Sequence, residues 1–232
     1  MTALQILSIA VCSALAILFI VIRTLKGGHL AFVLKTIASL GFVICGIIYL
    51  GFTGSDTWAS ILIVVGLLLG MIGDIVLDLK VIYPDSEQTY LNMGMASFFL
   101  GHGCYIAAFT ILADGPSLLL PILISAGVAI ILTAFTTISG KKVMGLNFGN
   151  YIIQTIAYTY ILSFALVYTI SLAIIGSGLW LTVIGLALFL LSDIVLSFQY
   201  FGGKIASKPL IAVNHTLYYA AQIILLSVLF II

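Results

Sequence analysis

The sequence predicts an all-α membrane protein of eight transmembrane helices. Three observations carry that prediction: an apolar composition, apolar stretches of bilayer length, and basic residues confined to alternate loops. Of 232 residues, 63% are hydrophobic and 6% are charged, and the mean hydropathy is +1.36. Soluble domains carry about a quarter charged residues, so no soluble fold of this length matches. Crossing a hydrocarbon core takes about 20 apolar residues in a helix.

Eight such stretches follow one another, separated by short polar or Gly/Pro breaks. The first, Thr2–Ile22, has neither a charged leading region nor an A-x-A-like cleavage site and reads as a retained helix, not a signal peptide. The second, Leu30–Phe52, carries Lys35, and the third, Trp58–Leu79, carries Asp74 and Asp78. The fourth, Leu91–Ala113, holds His102 and Tyr105, and the fifth, Ser117–Ile138, runs towards Lys141 and Lys142. The sixth, Tyr151–Ile175, holds Tyr158, and the seventh, Leu179–Tyr200, holds Asp193. The eighth, Lys208–Ile231, places His215, Tyr218, Tyr219 and Gln222 on a polar stripe. The connections are too short to form a soluble domain, so residues 1–232 read as a single integral membrane domain. Cys12, Cys45 and Cys104 lie within apolar stretches without metal-site spacing and read as small core residues.

All eight basic side chains, Arg23, Lys26, Lys35, Lys80, Lys141, Lys142, Lys204 and Lys208, lie in or beside the loops after helices 1, 3, 5 and 7. The opposite loops carry Asp56 and Asp114. The positive-inside rule makes the basic loops cytoplasmic and both termini non-cytoplasmic. A net charge of +1 argues against nucleic acid as a partner, and scattered lysines suit anionic membrane lipids.

The chain also repeats itself. "GDIVLD" at Gly73 to Asp78 returns as "SDIVLS" at Ser192 to Ser197. A shift of 119 positions also lays "LKTIA" from Leu34 on "IQTIA" from Ile153, and Tyr49 on Tyr168. A shift of 113 lays "HGCYIAAF" from His102 on "HTLYYAAQ" from His215. Helices 1 to 4 therefore read as duplicated in helices 5 to 8, a parallel repeat with halves 1–113 and 117–232.

Duplication does not explain why either phrase keeps its acid. An aspartate at a helix centre costs about 2.5–3.5 kcal/mol on insertion scales, which makes intramembrane carboxylates functional candidates. Asp74 and Asp193 fall about five and seven residues from the basic end of their helices, roughly 8–10 Å deep. Lys35, Tyr158 and His215 fall one to two turns in from the same side, and His102 somewhat deeper. The outer half is nearly free of ionisable groups, which predicts a pocket open to one side. Plainer roles remain open at several positions. Asp78 can be a solvated helix end paired with Lys80 or Lys35, and Lys35 can snorkel to the surface. His102 and His215 can be interhelical hydrogen-bonding residues, and the tyrosines can be packing residues. An Asp74–Lys35 ion pair would satisfy both partners, whereas Asp193 has Gln154 at the position aligned with Lys35.

Two carboxyl groups in one poorly solvated site resist joint ionisation, and a protonated acid beside an anion is the arrangement of general acid and general base. The sequence offers no G-x-S-x-G, H-E-x-x-H or Walker loop, and neither a metal nor a cofactor is expected.

"GDIVLD", "FFLGHGCY" at Phe98 to Tyr105, "LFLLSDIVL" at Leu188 to Leu196 and "YYAAQ" at Tyr218 to Gln222, in that order, resemble the YhhN family of membrane lysoplasmalogenases. The resemblance covers essentially the whole chain. It departs at Lys35-Thr36, where the family commonly has Lys-Pro. It implies hydrolysis of the vinyl ether bond of lysoplasmalogens to a fatty aldehyde and glycerophosphoethanolamine or glycerophosphocholine, with a lysophospholipid as substrate. Catalysis is then expected from Asp193 as acid and Asp74 as anion and base, or the reverse. Lys35, Asp78, His102, Tyr105, Tyr158, His215, Tyr218, Tyr219 and Gln222 are expected to bind substrate. The short chain suggests a bacterial plasma membrane. The alternative reading is a small parallel-repeat transporter or proton-coupled membrane protein that uses Asp74 and Asp193.

Overall fold

The computed structural model describes residues 2–53, 58–113, 118–202 and 207–232, and every regular element in them is helical. Eight helices follow in order: α1 (Ala3–Leu25), α2 (Gly28–Thr53), α3 (Trp58–Asp78), α4 (Glu87–Ala113), α5 (Leu119–Lys142), α6 (Ile152–Leu172), α7 (Trp180–Phe201) and α8 (Lys208–Val228). All eight are long and apolar enough to cross a bilayer, so the chain is a multi-pass integral membrane protein. Asp56, Asp114 and Lys204, used above to orient the chain, lie outside the described residues.

The helices match the eight apolar stretches, and their ends differ for local reasons. The Thr2 side chain accepts from the Gln5 amide while the Gln5 side chain accepts from the Thr2 amide, a reciprocal cap that starts α1. Hydropathy alone ends the first stretch at Ile22, but the backbone stays helical to Leu25 and puts Arg23 in the last turn. A cation is favoured there, beside the free carbonyls of a helix C-terminus. α4 begins four residues before the first apolar residue of its stretch, with Glu87 in its opening turn and a 3₁₀ turn at Pro84–Ser86 before it. α6 gives way at Ala173 to a π turn closed by Gly176 and Gly178, at φ 103° and 73°.

α1 packs on α2, α2 on α3 and α3 on α4; α4 packs on α6, α6 on α7, α7 on α8, and α8 returns to α1. α8 also touches α2 and α3, which makes it the central element. Its buried side chains include Asn214, His215, Tyr218, Tyr219 and Gln222, an unusual polar content for a membrane helix interior. α5 stands apart, with α6 its only substantial helix neighbour among the described residues.

The tightest contact joins α3 to α4, and the small residues that membrane helices use for close approach explain it. A Cβ on Gly66 would lie 2.5 Å from the Tyr105 ring, one on Gly73 2.6 Å from Phe98, and one on Gly94 2.5 Å from Leu77. At Gly101 the obstacle is backbone, the Gly66 carbonyl at 3.2 Å. The backbones can meet only because these positions lack side chains, and their meeting fixes the height of Asp74 and Asp78 relative to α4.

Gly66→Ala is therefore expected to destabilise the detergent-solubilised protein by about 1–3 kcal/mol through overpacking. Gly103→Ala, where a Cβ meets nothing within 4 Å, should be neutral. Thermal unfolding of the two variants side by side checks the difference.

Candidate functional site

α3 presents Asp74 and Asp78 one turn apart on one face, and α2 answers with Lys35 and Ser39 at the same spacing. The Lys35 ammonium lies 3.3 Å from an oxygen of each aspartate. From the end of α1, Arg23 donates from Nη2 to Asp78 Oδ1 at 3.3 Å and sets Nη1 3.2 Å from Oδ2. Two cations and two carboxylates thus form one chain, Asp74–Lys35–Asp78–Arg23.

Lys35 is 5% exposed and Asp78 4%, which corrects two of the plainer readings. Lys35 does not snorkel outward, and Asp78 is not a solvated helix end. Lys80 is not its partner either. It pairs with Glu87 at 3.2 Å, and its ammonium lies 3.7 Å from the centre of the Tyr200 ring. A charge held inside a membrane protein needs a counter-charge, and Lys35 lies between the only two carboxylates on its face of α3.

Asp74 Oδ2 also accepts from Ser39 Oγ and, at 2.8 Å, from the Tyr218 hydroxyl. Tyr218 in turn accepts from Gln222 Nε2 at 2.8 Å, and Tyr105 donates to Gln222 Oε1 at 3.5 Å. The Tyr219 hydroxyl sits 3.0 Å from Ser39 Oγ and donates to the Lys35 carbonyl at 3.3 Å. A buried polar relay from α4 through α8 therefore orients Asp74 and the Lys35 backbone.

Asp193 is held differently. Tyr158 of α6 donates to its Oδ2 at 2.6 Å, and no basic side chain forms an ion pair with it among the described residues. One residue earlier, Asn214 of α8 donates to the Ser192 carbonyl at 2.8 Å and to its hydroxyl at 3.0 Å. This clamp ties α7 to α8 beside the carboxylate. Asp74, at 3% exposed, is the more enclosed of the pair, although Asp193 sits farther from its helix end.

Two chambers flank α7. One, of about 220 Å³, is polar and is lined by Arg23, Lys35, Asp74, Asp78, Lys80 and His215 among others. The other, of about 260 Å³, is almost wholly apolar and lies among α3, α4, α5, α6 and α7. Leu77, Phe98, Asp193, Leu196 and Tyr200 belong to the walls of both. Asp193 is the one carboxylate in that shared wall.

Of the other expected site residues, Tyr218 lines the polar chamber and Tyr158 the apolar one. His102, Tyr105, Tyr219 and Gln222 line neither chamber and stand behind these walls. His102 Nδ1 lies 2.8 Å from the Phe98 carbonyl, an acceptor only, so this nitrogen carries the proton. Its ring packs edge-on against Phe189 at 4.6 Å.

Arg23, Ser39 and Asn214 were not singled out for the site by sequence. Ser39 was accessible through its four-residue spacing from Lys35, whereas Arg23 and Asn214 acquire their partners only through tertiary packing. Among the described residues, no three His, Cys, Asp or Glu side chains gather as a metal site. The Cys12 and Cys45 sulfurs lie 3.7 Å apart between α1 and α2.

The profile of the YhhN family matches residues 30–229, and the chain belongs to that family. No curated protein and no solved structure shows significant similarity to it.

The ion chain and Asp193 are expected to differ in their effect on stability. Asp78→Ala leaves Arg23 without its ion pair and Lys35 with Asp74 alone, and should cost up to roughly 3–5 kcal/mol. Asp193→Asn, which keeps its shape and its Tyr158 contact, should stay within about 1 kcal/mol of the parent protein. Paired thermal melts in one detergent check the ranking.

Proposed function

We propose that this YhhN-family protein is a lysoplasmalogenase, hydrolysing the vinyl ether bond of a lysoplasmalogen to a fatty aldehyde and a glycerophospho-alcohol. The observation that carries this reading is the position of Asp193 in the wall common to a polar and an apolar chamber. The scissile bond of such a lipid joins the headgroup-bearing glycerol to the hydrocarbon chain. A substrate with one part in each chamber brings that bond to Asp193.

A vinyl ether is cleaved by protonation of its β carbon. Asp193 supplies the proton from Oδ1, since Oδ2 accepts from Tyr158. The C=C electron pair forms the new C–H bond, and the positive charge appears as an oxocarbenium ion across the α carbon and the ether oxygen. Asp74, held by Lys35, Ser39 and Tyr218 and lining the polar chamber together with Asp193, is the fixed anion for that charge. Water adds to the α carbon and gives a proton to the Asp193 carboxylate, restoring the acid. Asp74, which lines the same chamber, is the alternative acceptor. The resulting hemiacetal expels the glycerol oxygen, which takes up the hydroxyl proton as the aldehyde forms. Atoms and charge balance with water as the only co-reactant.

Arg23, Lys35 and Lys80 offer the lipid phosphate a cationic rim, and His215 faces the same chamber for a glycerol hydroxyl or the attacking water. Asp78 keeps Arg23 and Lys35 in place. Tyr105, Tyr219 and Gln222 position Asp74 through the relay, and His102 backs the aromatic wall at Phe98 and Phe189. The basic-loop side is taken as cytoplasmic and the host membrane as a bacterial plasma membrane.

Purified protein is expected to release fatty aldehyde from an alkenyl lysophospholipid and to leave its acyl analogue intact, with or without chelator. Asp193→Asn and Asp74→Asn should each lower turnover by at least about 10²–10⁴-fold, the range of lost general acid–base catalysis, in a protein that still elutes as a folded species. Undiminished aldehyde release by Asp193→Asn would refute the scheme.

A further inference from the structure

The apolar chamber has a feature that hydrolysis alone does not require: it reaches the outer surface of the bundle. Phe135 on α5 and Met144 just beyond it line the chamber, yet they are 67% and 45% exposed. A residue that both lines a cavity and faces outward marks its mouth. Among the described residues α5 packs on α6 and makes no substantial contact with α4 or α7, so the mouth opens beside α5. The opposite flank of the bundle is shut, with α1 packed on α8. Seen from the bilayer, the helix ring can therefore be entered sideways at one seam, and the seam leads to Asp193.

The lining names the occupant. Leu91, Met95, Phe98 and Leu162 supply apolar walls, and polar groups such as Thr155 and Thr159 are few. At about 260 Å³ the chamber lies just below the roughly 300–1,000 Å³ that holds drug-sized ligands, so it takes part of one hydrocarbon chain, the remainder running out through the mouth. Outside the mouth is the acyl region of the bilayer, which already holds such chains. The inner end shares five wall residues with the cationic chamber, so a chain seated here belongs to a molecule whose other end is anionic and polar.

We infer that the chamber behind α5 is the seat of the single hydrocarbon chain of a lysophospholipid, which slides in from the bilayer beside α5 while its headgroup crosses to the polar chamber. The head-to-tail direction rests on the hydrolase reading; the chain seat and its seam rest on the cavity and the helix packing. A diacyl phospholipid would have to place its second chain in the same chamber of about 260 Å³, so it is expected to compete poorly.

The test uses the intact protein in nanodiscs and lysophosphatidylcholine bearing a diazirine at the end of its chain. Irradiation is expected to label peptides covering residues 135–144 and 155–162, with competition by unlabelled lysophosphatidylcholine and little competition by dioleoyl phosphatidylcholine. Thr136→Trp, which fills the chamber from α5, should cut this labelling at least fivefold. Ile131→Trp, on the exposed outer face of the same helix, should leave it unchanged. Labelling confined to other helices, or labelling at these peptides that resists competition or is indifferent to Thr136→Trp, would overturn the inference. Labelling as expected without vinyl ether cleavage would uphold the chain seat and defeat the hydrolase reading. Cleavage with labelling elsewhere would do the reverse.

Discussion

The interaction on which the rest depends is the buried chain Asp74–Lys35–Asp78–Arg23. A lone charge within a hydrocarbon-bounded bundle costs several kcal/mol, and the two central members, Lys35 and Asp78, are each shared between two partners, so removing either leaves an end of the chain without its ion pair. The constraint has a geometric result. Three helices, α1, α2 and α3, must keep their mutual height and rotation for the ion contacts to hold, and α8 joins them through Tyr218 and Tyr219. Against this locked assembly the glycine seam holds α4 at close range. Asp193 stands outside the ion chain on α7, held by one tyrosine. The site thus pairs a carboxylate fixed by several partners with one held by a single hydroxyl.

Polar and apolar chambers lying side by side divide an amphiphile across its own polarity boundary. The wall between them is made mostly of apolar side chains, Leu77, Phe98 and Leu196, with Tyr200 carrying the Lys80 ammonium on its face. A carboxyl group in that wall sees little bulk water, which suits a carbocationic reaction that must deliver one water and exclude the rest.

Much of this was legible in the sequence, and the reasons are specific. Hydropathy located all eight helices because the bilayer imposes a minimum apolar length, but their ends escaped it, since Arg23 and Glu87 are helical without being apolar. The four-residue spacings on α3 and α8 correctly placed Asp74 with Asp78, and Tyr218 with Gln222, because periodicity is a property of one helix. What spacing cannot give is the partner on another helix. Arg23 read as a loop-side cation, and Asp78 as an end residue paired with Lys80 or Lys35; of the two lysines packing chose Lys35, and it brought Arg23 across from α1. His102 and Tyr105 share a helix face as expected, yet that face looks into the packed wall and not into either chamber. The separation of α5 from α4 had no trace in the sequence, because it depends on where a whole helix docks.

The charges of the ion chain close on themselves, two positive and two negative. A transmembrane voltage does about 2.3 kcal/mol of work per 100 mV on each net elementary charge carried across the bilayer. A neutral quartet that shifts as a body offers it no such handle. A displacement of α1–α3 that carries the quartet as a body therefore moves no net charge of its own, and a change in membrane voltage does no work on it through these four residues.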